Sequence, residues 1–99
     1  MTAPTTRGDR TRLQVATSLL DTVGRTASRG TVATRCLLAA DLLVRAGADP
    51  ASTGGPALDE RDGIGQALEL LGALTESALG DENVLEAMHH ALLAHAATR

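Results

Sequence analysis

Residues Thr31–Gly47 read TVATRCLLAADLLVRAG, and the fold follows from how those letters distribute around a helix. At roughly 100° per residue, Thr34, Asp41 and Arg45 fall in one narrow polar strip. Val32, Ala33, Cys36, Leu37, Ala39, Ala40, Leu42, Leu43 and Val44 fill the remaining arc. A helix apolar over most of its circumference has to be covered on several sides. It is therefore expected at the centre of a helical bundle, or at the seam between two copies of one. Gly47 stands where a left-handed residue closes a helix, and Pro50 blocks continuation.

Upstream, a one-sided helix is expected from about Asp9 to Ala27, capped by Asp9 or Thr6. Leu13, Ala16, Leu19, Leu20, Val23 and Ala27 share its apolar face, and Asp21 with Arg25 makes a favourable i,i+4 pair. Asp41 and Arg45 repeat that spacing on the second helix. Residues 1–8, rich in Thr, Pro, Ala and Gly, read as a disordered N-terminal arm. Ser28-Arg29-Gly30 is a short turn, so the first two helices are expected to form an antiparallel hairpin with Thr31 capping the second.

Downstream, ADPASTGGPAL from Ala48 to Leu58 is the one long connection and the expected hinge. Asp59, Glu60 and Asp62 gather negative charge where a helix start favours it. Ile64, Ala67, Leu68, Leu71, Leu74 and Ala78 then make the buried face of a third helix. Gly80 ends it and Asp81 caps the fourth, which runs from Glu82 to about Ala97 and is expected to bury Val84, Leu85, Met88, Ala91 and Leu92. The reading is an all-α single domain over residues 9–99. It is a small four-helix bundle of two antiparallel helical hairpins joined by a longer loop, with helix 2 central.

LLVRAGADP, residues 42–50, resembles the closing turn of an ankyrin repeat. The Thr-Pro-Leu-His opening of that family is missing, and nothing recurs at its roughly 33-residue period. The resemblance implies the same helix stop and no more.

Composition supports the helical reading. Alanine and leucine dominate the apolar residues, and Phe, Tyr and Trp are all absent from the 99 residues. Alanine and leucine are strong helix formers, whereas Val and Ile, which favour strands, are scarce and aromatic residues are missing. Every cationic side chain is arginine. The absence of lysine excludes Schiff-base chemistry and a P-loop lysine. Net charge is −3, unevenly spread: residues 1–50 carry seven arginines against four aspartates, and residues 51–99 two arginines against eight carboxylates. Such polarity steers a basic half onto an acidic one, within or between chains. One cysteine forms no internal disulfide and fits a reducing cytoplasm. The start has no apolar core of a signal peptide, and no apolar run is long enough for a bilayer. A cytoplasmic protein with no membrane partner is expected.

Few residues carry chemistry. Glu86 and His89 have the Glu-x-x-His spacing of di-iron bundles, but that chemistry needs a second pair and two more carboxylates. His89, His90 and His95 include no i,i+4 pair to make a zinc clip, and a solvated face with a Glu86–His90 pair is the simpler reading. Cys36 sits in the apolar arc and reads as buried and inert. No serine lies in a nucleophile-elbow pattern, and Gly54-Gly55 lacks the strand and the Lys-Ser/Thr of a phosphate cradle. No catalytic, metal or cofactor residue is assigned. A helix-turn-helix across Arg25–Leu43 would make the most hydrophobic helix read a polar groove, which with the acidic net charge argues against nucleic acid.

The function expected is a non-enzymatic helical interaction module (regulatory, scaffolding or an accessory subunit) that forms a homodimer or holds a protein partner. Leu38, Leu42, Leu70 and Leu93 are its candidate interface. An alternative is a small apolar-ligand binder or minor enzyme with a pocket near Cys36, Met88 and His95. A DNA-binding regulator dimer is the third reading.

Overall fold

The computed structural model describes residues 7–49 and 59–98. Five helices follow in order: α1 Arg7–Thr26, α2 Gly30–Arg45, α3 Glu60–Gly72, α4 Glu76–Leu79 and α5 Glu82–Ala97. They form a small all-α bundle in which α2 packs most extensively, against α1 and α5. α1 also packs on α3, and α3 on α5, so the four long helices close a ring around one core. Thr6 and most of the expected hinge lie outside the described residues, as does most of the expected arm. Arg7 and Gly8, taken as arm, instead open α1.

Hydrogen bonds between helices fix the directions. Gln14 near the start of α1 reaches Asp49 beyond the end of α2: its Oε1 accepts from the Asp49 N–H at 2.9 Å and its Nε2 donates to the carbonyl at 3.3 Å. α1 and α2 are therefore the expected antiparallel hairpin. Arg29 Nη1 at the start of α2 donates to the Ala97 carbonyl at the end of α5, at 2.6 Å. Ser28 N–H donates to Glu60 Oε1 at 3.0 Å, which pins the first turn of α3 under the α1–α2 turn. α2 and α3 thus both run against α1 and α5.

The core is built from small pieces. α1 supplies Leu13, Ala16, Leu20 and Val23; α2 supplies Val32, Cys36, Ala39 and Leu43. α3 adds Ile64, Ala67 and Leu71, and α5 adds Val84, Ala87, Ala91 and Ala94. With three alanines on its inward face, α5 lies close to its neighbours, and the leucines expected there turn outward. Leu85 and Leu92 are exposed, which corrects the expectation that they are buried. The inward stripe is instead Val84, Ala87, Ala91 and Ala94: tight approach of α2 leaves room for methyl groups and not for isobutyl ones. Leu37 of α2 is likewise exposed, because α1 comes too near for it to turn in. A Cβ placed on Gly24 would lie 2.8 Å from the Leu37 side chain.

Helix ends follow local chemistry with two exceptions. After α2, Gly47 has φ +119°, its N–H bonds the Val44 carbonyl at 3.0 Å, and the Ala48 N–H bonds the Leu43 carbonyl at 3.0 Å. That is a Schellman closure, with Ala48 and Leu43 both buried as its apolar contact. Asp59 caps α3 through the Asp62 N–H, and Asp81 caps α5 through the Asn83 N–H at 2.8 Å. Thr31 is not the cap of α2, which begins one residue earlier at Gly30 after Arg29, without a side-chain cap. The third helix is also not continuous to Ala78. It ends at Gly72, and α4 restarts as a single turn after Thr75.

Candidate functional site

The break between α3 and α4 is set by Asp9, whose side chain is 1% exposed. Its Oδ1 accepts from the Thr75 N–H at 3.2 Å and its Oδ2 from the Thr75 hydroxyl at 2.5 Å. Arg12 stands 3.8 Å from the same carboxylate. A buried carboxylate is stable only when its oxygens are hydrogen-bonded, and Thr75 supplies two donors at once. To do so Thr75 takes extended backbone, which stops α3 and opens α4. Asp9 was read as a cap of its own helix; it is in effect a long-range anchor for another. Only its position on the apolar side of α1, near Leu13 and Ala16, signals this in the sequence. Thr17 is buried on that side too, its hydroxyl donating to the Leu13 carbonyl at 2.6 Å.

The α2–α5 seam carries the second polar contact. Arg35 Nη1 donates to His90 Nδ1 at 2.9 Å. A guanidinium has no acceptor, so Nδ1 receives the bond. His90 is thus engaged across helices by Arg35. Leu38 lies one turn beyond Arg35, and Leu93 one turn beyond His90. The two leucines therefore flank this contact on the outside of the seam, 44% and 39% exposed. Of the other candidate interface residues, Leu42 is buried and Leu70 is half-buried against the core.

Cys36, Met88 and His95 occupy different surroundings. Cys36 is fully buried; burial, with a smaller contribution from the negative charge of Glu60, pushes its thiol up from 9.0 to about 11. A thiol so placed stays protonated at neutral pH and is a poor nucleophile. Met88 is half-buried against the core. His95 is half-buried beside α3, near Gly65: a Cβ there would sit 3.9 Å from Nε2, an ordinary contact distance. Two surface clefts lie elsewhere. One, about 290 Å³, is lined by Arg10, Thr11, Gln14, Val15, Gly47, Ala48 and Asp49. The other, about 260 Å³, runs along the α1–α2 groove past Asp21, Arg25, Leu37 and Asp41. Both fall just under the ordinary range of small-molecule sites. The three charged groups lining the second are already paired: Arg25 with Asp21 at 2.8 Å and Asp41 with Arg45 at 3.2 Å.

Among the described residues, no three His, Cys, Asp or Glu side chains converge as a metal site, and no helix is long and apolar enough to cross a membrane. Among its charged side chains the surface also carries exposed leucines. Leu37 and Leu38 of α2 and Leu85, Leu92 and Leu93 of α5 all stand in water, with Leu85 51% and Leu92 56% exposed. The chain matches no protein-family model, and neither a curated protein nor a solved structure matches it.

Proposed function

We propose that this chain is a helical protein–protein interaction module that associates with itself, acting as a regulatory, scaffolding or accessory subunit. One observation carries the reading: α2 and α5, the two helices that pack most extensively on each other, also hold five outward leucines. Single exposed leucines are ordinary, whereas apolar side chains gathered on neighbouring helices mark a surface that another molecule covers. Covering them with a second copy needs no additional gene product and gives the two-fold arrangement commonest among oligomers.

The test is the molar mass in solution, by size exclusion with light scattering. Detection uses refractive index, because a chain without Trp or Tyr has no useful absorbance at 280 nm. Twice the chain mass of 10.1 kDa supports the proposal. A mass of 10.1 kDa persisting to several hundred micromolar refutes it.

A further inference from the structure

The buried face of α5 is Val84, Ala87, Ala91 and Ala94, with no polar side chain among them. At the edge of that face Arg35 Nη1 of α2 donates to His90 Nδ1 at 2.9 Å, a partly buried side-chain bond across the most extensive seam of the fold. The bond has a condition. Nδ1 receives it only while it carries no proton, and in an imidazolium both ring nitrogens donate. Histidine is the side chain whose ordinary titration falls between about pH 5 and 8, whereas a guanidinium stays charged throughout. One proton on His90 therefore sets two cations where a hydrogen bond had been. Arg29, which reaches the Ala97 carbonyl at the end of the same seam, has no such dependence.

We propose that His90 is a proton-operated clasp: neutral, it ties α5 to α2 through Arg35; protonated, it lets go and turns to Glu86 on its own helix. Glu86 is exposed and lies four residues before His90, the helical spacing at which opposite charges attract. Other charged groups are placed elsewhere or already engaged. His89 is the sequence neighbour, its ring centroid 5.9 Å from that of His90. On α2, Asp41 and Arg45 pair with each other at 3.2 Å, which leaves Arg35 as the charge meeting His90. α3 meets α5 on another flank, where His95 lies near Gly65, about 140° further round the helix. α4, with Glu76, packs by the start of α5, about two turns from His90. Leu38 and Leu93, both exposed, flank the clasp one turn away on either helix, so its opening loosens the seam between them. The clasp stands whether or not the chain self-associates.

Nuclear magnetic resonance of the intact, nitrogen-15-labelled chain, titrated from about pH 8 to 5, tests the clasp across the histidine range. At the alkaline end the Arg35 guanidinium protons are expected to be protected and His90 Nδ1 to carry no proton. Toward the acid end the Arg35 signal is expected to disappear over the same range in which His90 becomes doubly protonated. The methyl signals of Leu38 and Leu93 are expected to move with it. His90→Gln keeps an oxygen that accepts from Arg35 but does not titrate, so its Arg35 signal is expected to persist to the acid end. Glu86→Gln removes the second partner and is expected to lower the midpoint by about 0.2–0.4 pH units, the size of one i,i+4 pair. An Arg35 signal that survives while His90 takes up its proton would overturn the clasp, as would a His90 still singly protonated at the acid end. The same loss of signal in His90→Gln would overturn it too, and an unmoved midpoint in Glu86→Gln would overturn the exchange of partners.

Discussion

The buried thiol gives this molecule an alkaline stability signature that can be worked out in advance. Cys36 ionises near 9 when exposed and near 11 in the folded core, because burial penalises the thiolate and Glu60 adds negative charge to its surroundings. Below pH 9 both states hold the proton and pH does nothing. Between about 9 and 11 the unfolded chain releases its proton while the folded chain keeps it. The unfolded state then binds fewer protons, so stability falls as pH rises. Two units of displacement correspond to roughly 2–3 kcal/mol lost by pH 11. That is a large share of the few kcal/mol that hold a domain of this size together. The measurement is unusually clean because lysine and tyrosine, which would titrate in the same window, are absent. Urea unfolding followed at 222 nm at pH 8.5 and 11 should show the midpoint fall. Cys36→Ala should start lower, for the cavity it leaves, but should lose far less between the two pH values. Equal slopes for the two proteins would refute the reasoning, as would a flat profile for the unaltered chain.

Two further substitutions probe how the helices are spaced and stopped. Gly24→Ala improves helix propensity by up to about 1 kcal/mol. It also places a methyl group 2.8 Å from the Leu37 side chain and 3.2 Å from the Leu37 backbone nitrogen. The side chain can swing outward but the backbone cannot, so a net loss of about 1–2 kcal/mol is expected; thermal melting that rises instead would contradict this close approach. Asp9→Ala removes the acceptor of both Thr75 donors, and a loss of about 2–3 kcal/mol is expected. Helix content should hold nearly constant while limited proteolysis shifts to the Gly72–Thr75 junction. Unchanged cleavage there would show that Asp9 does not hold the break.

Sequence and structure part company at identifiable residues. Periodicity placed the four long helices, the hairpin turn at Ser28 and the Gly47 closure, because each depends on neighbours within one or two turns of chain. The pairs Asp21–Arg25 and Asp41–Arg45 were legible for the same reason. The split of the third helix was not, since it depends on Asp9, 66 residues from Thr75 along the chain. Exposure of the candidate interface leucines is mixed: Leu38 and Leu93 stand outward, Leu70 is half-buried against the core and Leu42 is buried. Cys36, Met88 and His95 share the apolar side of their helices, yet Cys36 lies in the core while Met88 and His95 stop half-buried.

What the amino-acid order settled unaided is local: which stretches coil, where each begins or stops, and which side of each coil is greasy. Tertiary packing decided which of those greasy residues the core could admit. On α5 a helical wheel ranks Leu85 and Leu92 with Val84 and Ala91. Only the close approach of the neighbouring helices selects the alanines for the interior and turns the leucines out to water. Side-chain volume against interhelical distance is a property of two surfaces at once, and no single helix encodes it.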